Sequence, residues 1–139
     1  MKTKPFLIFA LFLFMACKQN PEDMIPFIQG YWEISEVKKD GDKLKEFNVN
    51  MTIDYFEIQE DLKGFRKKLT PTLDGRFKGS EHQALFELKN MDGELIIEYQ
   101  GGDSNHLETV KKATDEELVL QNDQGFIYIY KPYTPIDFD

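Results

Sequence analysis

The alternation of apolar and polar residues constrains the fold of this chain most. After Gly30 the alternation has a period of two and is broken by turn signals every eight to twelve residues, as in consecutive β-strands. Pairs such as Asp40-Gly41 and Asp92-Gly93 supply the positive φ values that tight hairpins need. The 38–50 segment is expected to hold a single helical turn. The predicted strands are 30–37, 51–59, 64–70, 75–79, 84–90, 94–100, 106–113, 117–122 and 125–131.

This strand pattern limits the architecture to two classes. Eight or nine short antiparallel strands in roughly 105 residues must either close into a barrel or stack as a sandwich. The chain has 139 residues, which allows one domain. Its hydrophobic content of 41% and aromatic content of 14% are too high for a disordered chain.

Residues 1–16 have the pattern of a signal peptide and are excluded from the fold. Lys2 and Lys4 give a positive start, and an apolar or small run of 12 residues follows, from Pro5 to Ala16. A membrane-spanning helix needs about 20 apolar residues, so this run is too short to be a permanent anchor. It ends at Cys17, the only cysteine of the chain. This arrangement resembles a bacterial lipoprotein signal, which implies cleavage before Cys17, diacylation of its thiol and N-acylation.

The lipoprotein resemblance also implies a membrane partner and a location. Several acyl chains make a stable anchor, so Cys17 would hold the protein at a membrane of the cell envelope. Lys18, not Asp, follows the cysteine, and by resemblance to lipoprotein sorting signals this favours the outer membrane, on either its periplasmic or its surface face. The predicted organisation is a signal peptide (1–16), a lipidated tether (17–26), a β domain (27–133) and a C-terminal tail (134–139).

Composition argues against several classes of function. The chain has 17 basic and 25 acidic residues, a net charge of −8, so nucleic acid is not an expected partner. His82 and His106 are expected in loops and have no spacing typical of a metal site. No Gly-x-Ser-x-Gly elbow or Gly-rich phosphate loop is present, and Cys17 would be acylated. We therefore expect no metal, no cofactor and no enzymatic activity.

The start of the first strand carries a family resemblance. Gly30-Tyr31-Trp32 follows an expected capping turn at 24–28 and resembles the Gly-x-Trp signature of lipocalins. The order of strands from Glu94 to Lys131 resembles the lipocalin-like lipoproteins of Bacteroidetes. The resemblance covers residues 27–133. It implies an all-β fold, a single antiparallel up-and-down β-barrel of eight or nine short strands.

The same resemblance implies roles for three residues at the closed end of the barrel. In lipocalins the tryptophan of the signature lies at that end, and a basic residue of the last strand packs across it. Gly30 and Trp32 match the signature, and Lys131 would take the second role by a cation–π contact.

Aromatic side chains at strand centres either fill or line such a barrel. If they line a cavity, the resemblance implies a binding protein for a small apolar or amphipathic ligand. If they fill the barrel, the outer β surface would serve as a protein-interaction module, such as an envelope-complex subunit or an inhibitor. The candidate residues are Tyr55, Phe86, Tyr99, Tyr128 and Tyr130.

Arg66-Lys67-Lys68 is a basic run in an acidic chain and has two interpretations. It protects the edge of a sheet by charge, or it contacts an anionic ligand or lipid headgroup. On a strand, Arg66 and Lys68 share one face and Lys67 lies on the other.

Overall fold

A computed structural model of the chain describes residues 18–101 and 106–135. The predicted signal peptide, Cys17 and the last four residues of the predicted tail lie outside the described residues. One helix and nine strands follow in order: α1 (Pro21–Ile28), β1 (Gly30–Lys39), β2 (Asp42–Glu46), β3 (Ile53–Ile58), β4 (Lys63–Pro71), β5 (Phe77–Met91), β6 (Glu94–Tyr99), β7 (His106–Ala113), β8 (Leu118–Asn122) and β9 (Ile127–Pro132). Within these ranges, no helix has the length and apolar character needed to cross a membrane.

The sheet closes on itself because β1 is paired along both edges. On one edge β1 pairs with β9, and on the other it pairs first with β3 and then with β2. Strands β3 to β9 pair in sequence order, every pair antiparallel. The result is an eight-stranded up-and-down barrel with β2 as an additional strand. The predicted barrel is therefore confirmed.

The hairpin turns form where Asp-Gly pairs predict them. Asp40 and Gly41 have φ values of 52° and 82°, and Asp92 and Gly93 have 52° and 80°. Positive φ values at both central residues are typical of a type I′ turn. The twist of this turn matches the twist of the two strands that it joins in a two-residue hairpin. The helical turn expected within 38–50 is wrong, because β2 pairs there with β1. All five residues of β2 are exposed, so hydrophobic periodicity gave no signal for this strand.

A second difference concerns β5. The strands predicted at 75–79 and 84–90 are one strand of 15 residues, Phe77–Met91. The residues between them are exposed and polar and show no apolar alternation, although they continue the same strand. His82 therefore lies on a strand and not in the loop expected for it.

Helix α1 covers one end of the barrel, which we call the closed end. The Asn20 side chain accepts a hydrogen bond from the Glu22 amide at 3.4 Å and caps the helix, and Pro21 occupies its first turn. Met24 and Ile28 are buried and join the core cluster inside the barrel. The predicted boundary between tether and domain, at residue 26, falls inside this helix.

The segment before α1 is also attached to the barrel. The Gln19 side-chain amide donates to the Ala113 carbonyl oxygen at 2.7 Å, and the Ala113 amide donates to Gln19 Oε1 at 3.2 Å. Gln19 thus satisfies both backbone groups of Ala113, as a neighbouring strand would. The region predicted as a tether is packed against the barrel from Gln19 onward.

Candidate functional site

A cluster of polar side chains occupies the barrel interior toward the end opposite α1. In the register of β3 and β4, Asp54 lies opposite Lys68 and Phe56 lies opposite Arg66, so all four side chains share the inner face. Three further inward side chains come from β6, β7 and β9. The Arg66 cluster comprises Asp54, Arg66, Tyr99, Glu108 and Tyr130.

The guanidinium of Arg66 holds the cluster together. Its Nε donates to Asp54 Oδ1 at 3.1 Å, and its Nη2 donates to the Tyr130 hydroxyl at 2.7 Å. Its Nη1 donates to the Tyr99 hydroxyl at 3.0 Å and to Glu108 Oε2 at 3.3 Å. The Tyr99 hydroxyl in turn donates to Glu108 Oε2 at 2.7 Å. Each buried carboxylate therefore faces a charge-assisted donor.

Aromatic rings flank the same guanidinium. Its central carbon lies 5.0 Å from the ring centroid of Phe56 and 5.7 Å from that of Tyr130. Both distances are within the range of a cation–π contact. The Arg66 side chain retains 17% of its exposure, whereas Asp54 and Glu108 retain 3% and 7%. Arg66 is thus the member that reaches nearest to solvent.

Burial and charge act in opposite directions on the pKa of these groups. Burial alone lowers the pKa of Arg66, but its interactions with Tyr99 and Tyr130 and the charges of Asp54 and Glu108 outweigh burial and raise that pKa above its usual value. Burial raises the pKa of Tyr130 to about 12, although the charge of Arg66 opposes the change. Burial likewise raises the pKa of Tyr99. The cluster consequently keeps its arginine charged and its tyrosines neutral at physiological pH.

The Arg66 cluster forms part of the wall of a cleft at the open end of the barrel. We call it the mouth cleft; its volume is about 570 Å³. Lys68 also lines it, with Nζ 3.0 Å from Asp54 Oδ1 and a side chain that is 60% exposed. The cleft is lined by Asp54, Arg66, Lys68, Ser80, His82, Gln83, Ala84, Gln100 and Gly101.

Three of the predicted ligand-lining aromatics fill the barrel. Phe86, Tyr99 and Tyr130 are buried in the core cluster. The ring centroid of Phe86 lies 6.2 Å from that of Phe56 and 6.0 Å from that of Tyr99. Tyr128 is partly buried and packs against the same cluster. These side chains pack against one another in the barrel interior.

The fifth predicted lining residue, Tyr55, does not face the interior, so this prediction is wrong. Asp54 and Phe56 point inward, and the alternation of a strand places Tyr55 on the outer face. Its ring centroid lies 4.7 Å from that of Tyr31, which is likewise on the outer face. Both faces of β3 carry apolar residues, so the sequence did not decide which face turns inward.

At the closed end, Trp32 lies inside the barrel and is almost fully buried. Its Nε1 donates to the Ile28 carbonyl oxygen at 2.8 Å, which connects β1 to α1. Gly30 has a φ of 134°, a conformation that L side chains rarely adopt, at the junction of the two elements. Lys131 does not pack across Trp32. It lies opposite Glu33 on the outer face and is exposed, because the register of β1 and β9 places it on the other side of the sheet.

Asp54 and Glu108 were not predicted from the sequence as members of the site. Both are acidic residues in strands that carry apolar side chains on either face, and acidic residues are usually solvated. The basic run gave the available signal, since Arg66 and Lys68 share a face. The edge-strand interpretation of that run is wrong, because β4 is paired with β3 on one side and with β5 on the other.

The arrangement provides hydrogen-bond donors and charge but no metal cage. Within residues 18–101 and 106–135, no three His, Cys, Asp or Glu side chains are grouped as metal ligands. His82 lines the mouth cleft, and the ring of His106 lies 5.6 Å from that of Tyr99. The mouth cleft is therefore suited to hold a polar group by hydrogen bonds and ion pairs.

A second surface feature lies on the outside of the barrel. Five rings form the outer aromatic row, with successive centroid distances of 6.0, 4.7, 5.1 and 5.8 Å. Tyr31 is 43% exposed and Phe77 is 37% exposed. The row consists of Phe65, Tyr55, Tyr31, Phe77 and Tyr133.

Comparison with known proteins gives one match. The family model described as a lipocalin-like domain matches residues 28–120, which extend from the end of α1 through most of β8. No curated protein and no solved structure shows significant similarity to the chain.

Proposed function

The chain belongs to the lipocalin-like domain family, and from this membership we propose that it is a non-enzymatic protein that binds a small amphipathic molecule at the mouth cleft. The barrel of this family is generally a non-enzymatic binding fold. The proposal assigns binding to the open end of the barrel, because the interior below the Arg66 cluster is packed with apolar side chains.

The observation that carries the proposal is the size and lining of the mouth cleft. Its volume of about 570 Å³ is within the range of small-molecule sites. Its wall is polar, with Arg66 and Lys68 among the residues that face it. Such a wall fits the polar end of an amphipathic molecule better than a wholly apolar ligand, since polar groups are costly to desolvate without partners.

We further propose that the protein is lipid-anchored through Cys17 and is located at the outer membrane of the cell envelope. The support for this proposal is the lipoprotein-like signal and the lysine at position 18. Cys17→Ser is expected to move the protein from the membrane fraction to the soluble fraction. Retention of that variant on membranes after a high-salt wash would contradict the anchor.

Native mass spectrometry of the mature protein, purified from its own host, tests the binding proposal. We expect a retained small molecule as a constant additional mass. Ala84→Trp should remove it, because Ala84 lines the mouth cleft and the indole would occupy the space. Leu85→Trp is the matched control, since Leu85 is the next residue of β5 and lies on the outer face.

The outcomes of this comparison are distinct. Loss of the additional mass in Ala84→Trp alone supports binding at the mouth cleft. Equal retention in both variants would place the ligand elsewhere, and absence of any additional mass in the unaltered protein would argue against a tightly held ligand.

The outer aromatic row favours a second candidate function, a protein-interaction module in the envelope. Aromatic side chains are enriched in protein interfaces, and Tyr31 and Phe77 are both partly accessible. Chemical cross-linking in intact cells tests this candidate. Tyr31→Lys should abolish a specific cross-linked product if the row is the interface, whereas Leu44→Lys, at an exposed residue of β2, should leave it unchanged.

A further inference from the structure

We infer that the mouth cleft selects a ligand with an anionic oxygen group, a carboxylate or a phosphate, and that Lys68 and Arg66 bind it. This inference rests on the proposed function, because the ligand must enter the mouth cleft. It adds the charge of the ligand and the residues that recognise it.

The charge of the cleft wall favours an anionic ligand. Among the residues that line the cleft, Arg66 and Lys68 are cations and Asp54 is the anion. Glu108 is bonded to the Tyr99 hydroxyl and to Arg66 Nη1 and is not part of this lining. The lining residues thus carry one net positive charge, and the cleft is neutral when Glu108 behind Arg66 is counted, whereas the chain has a net charge of −8. An anion is therefore attracted to this cleft more than to the acidic chain as a whole.

Lys68 can exchange Asp54 for a ligand at little cost in free energy. Its side chain is 60% exposed, so solvent screens the lysine end of its ion pair with the buried Asp54. When the ammonium turns from Asp54 to a ligand, Asp54 Oδ1 keeps its hydrogen bond from Arg66 Nε at 3.1 Å. The buried carboxylate is consequently never left without a cationic partner, which is the condition that makes breaking a buried ion pair costly.

Arg66 has more hydrogen-bond donors than the cluster uses. A guanidinium has five N–H groups. Within the described residues, Nε makes one hydrogen bond, Nη1 makes two and Nη2 makes one. One Nη2 N–H therefore has no partner within the described residues, and Arg66 lines the same cleft as the exposed Lys68. An oxyanion that receives charge-assisted hydrogen bonds from both is bound more strongly than a neutral hydroxyl.

Isothermal titration calorimetry of the full mature protein with matched probes tests this inference. The probes are decanoate, decyl phosphate, decanol and decylamine. All have the same number of carbon atoms, and they differ in the charge of the head group. We expect decanoate or decyl phosphate to bind about tenfold more tightly than decanol. Inorganic phosphate, tested separately, shows whether the anion binds without an alkyl chain.

The variant pair Lys68→Gln and Lys67→Gln supplies the control. Lys68 lines the cleft and Lys67 is its neighbour on the outer face of β4, so both variants remove one positive charge from the same strand. We expect Lys68→Gln to weaken binding of the anionic probes about tenfold. Lys67→Gln should leave their affinity unchanged, and equal thermal midpoints for the two variants show that both remain folded.

Each result has a separate meaning. Binding of inorganic phosphate that is lost in Lys68→Gln supports the inference and identifies the free anion as sufficient. Equal affinity for the four decyl probes, with no effect of Lys68→Gln, overturns the anionic selectivity but leaves binding at the cleft intact. If no probe binds and no ligand is retained from the host, the proposed function itself fails.

Discussion

Arg66 and Glu108, which are 42 residues apart in sequence, meet at 3.3 Å inside the barrel. They belong to β4 and β7, which are not neighbours in the sheet, so their contact crosses the interior. Asp54 on β3 and Tyr130 on β9 reach the same guanidinium. The Arg66 side chain therefore connects β4 with β3, β7 and β9. It also occupies the space that a ligand would need in order to extend from the mouth cleft into the barrel interior.

Removal of the arginine is expected to destabilise the fold strongly. Arg66→Met would leave the buried Asp54 and Glu108 carboxylates without the guanidinium, at a cost of about 3–5 kcal/mol in the free energy of unfolding. Urea denaturation measures this change. Lys67→Met, on the outer face of the same strand, should change the free energy by less than about 0.5 kcal/mol. Similar midpoints for the two variants would mean that the cluster contributes little to stability.

Stability is expected to fall at alkaline pH because of the buried tyrosines. The folded-state pKa of Tyr130 is about 12, above its ordinary value of 10.0, and that of Tyr99 is also raised. Between pH 10 and 12 the unfolded chain loses tyrosine protons that the folded chain keeps, so stability decreases as the pH rises. Tyr130 alone accounts for about 2–3 kcal/mol once the pH exceeds 12.

Urea denaturation at pH 9, 10 and 11 measures this dependence. Tyr130→Phe should reduce the slope of stability against pH above 10, since the phenyl ring has no proton to lose. An unchanged slope in that variant would assign the alkaline loss to other groups.

Trp32 provides a test of the closed end. It is the only tryptophan, so its fluorescence reports on this end alone. We expect a blue-shifted fluorescence spectrum in the folded protein. We also expect Trp32→Ala to lower the free energy of unfolding by roughly 3–5 kcal/mol. Trp32→Phe should lose less stability than Trp32→Ala, because the phenyl ring still fills part of the space. It still loses some, because the hydrogen bond to the Ile28 carbonyl oxygen is removed. A native spectrum like that of tryptophan in water would contradict the burial.

Gly64 and Gly79 form a matched pair for the packing of β4 on its neighbours. A Cβ at Gly64 would collide with the Glu57 carbonyl oxygen and approach the Phe86 ring, whereas one at Gly79 would meet the flexible end of Lys67. We expect Gly64→Ala to cost about 2 kcal/mol or more and Gly79→Ala less than about 1 kcal/mol. Thermal denaturation of the two variants measures the difference, and equal losses would be inconsistent with this packing.

The architecture was predictable from the sequence because its signals are local. The alternation after Gly30 and the Asp-Gly pairs at 40–41 and 92–93 act within a few residues. The strands and the hairpin turns that they predict are present in the structure. The strand β2 was not predicted, because it has no buried residue and its pairing is with β1.

The site was harder to predict because it depends on which face of each strand turns inward. On β3, Asp54 and Tyr55 are neighbours with apolar residues on both sides, and a shift of one residue would exchange their faces. The same exchange explains Lys131, whose register opposite Glu33 places it outside. Only pairing between distant strands fixes these orientations, and a single sequence does not reveal that pairing.

The pairing of β1 with β9 has a consequence for the order of folding. The Ser35 hydroxyl donates to the Ile129 carbonyl oxygen, and these residues are 94 positions apart, as are Gln19 and Ala113. Contacts of such high sequence separation form slowly, because the entropy of closing the intervening loop is lost before they contribute. A ribosome or a translocation channel that still holds the last strand would therefore keep the barrel open, and β1 would remain unpaired along that edge until the C-terminal strand is released.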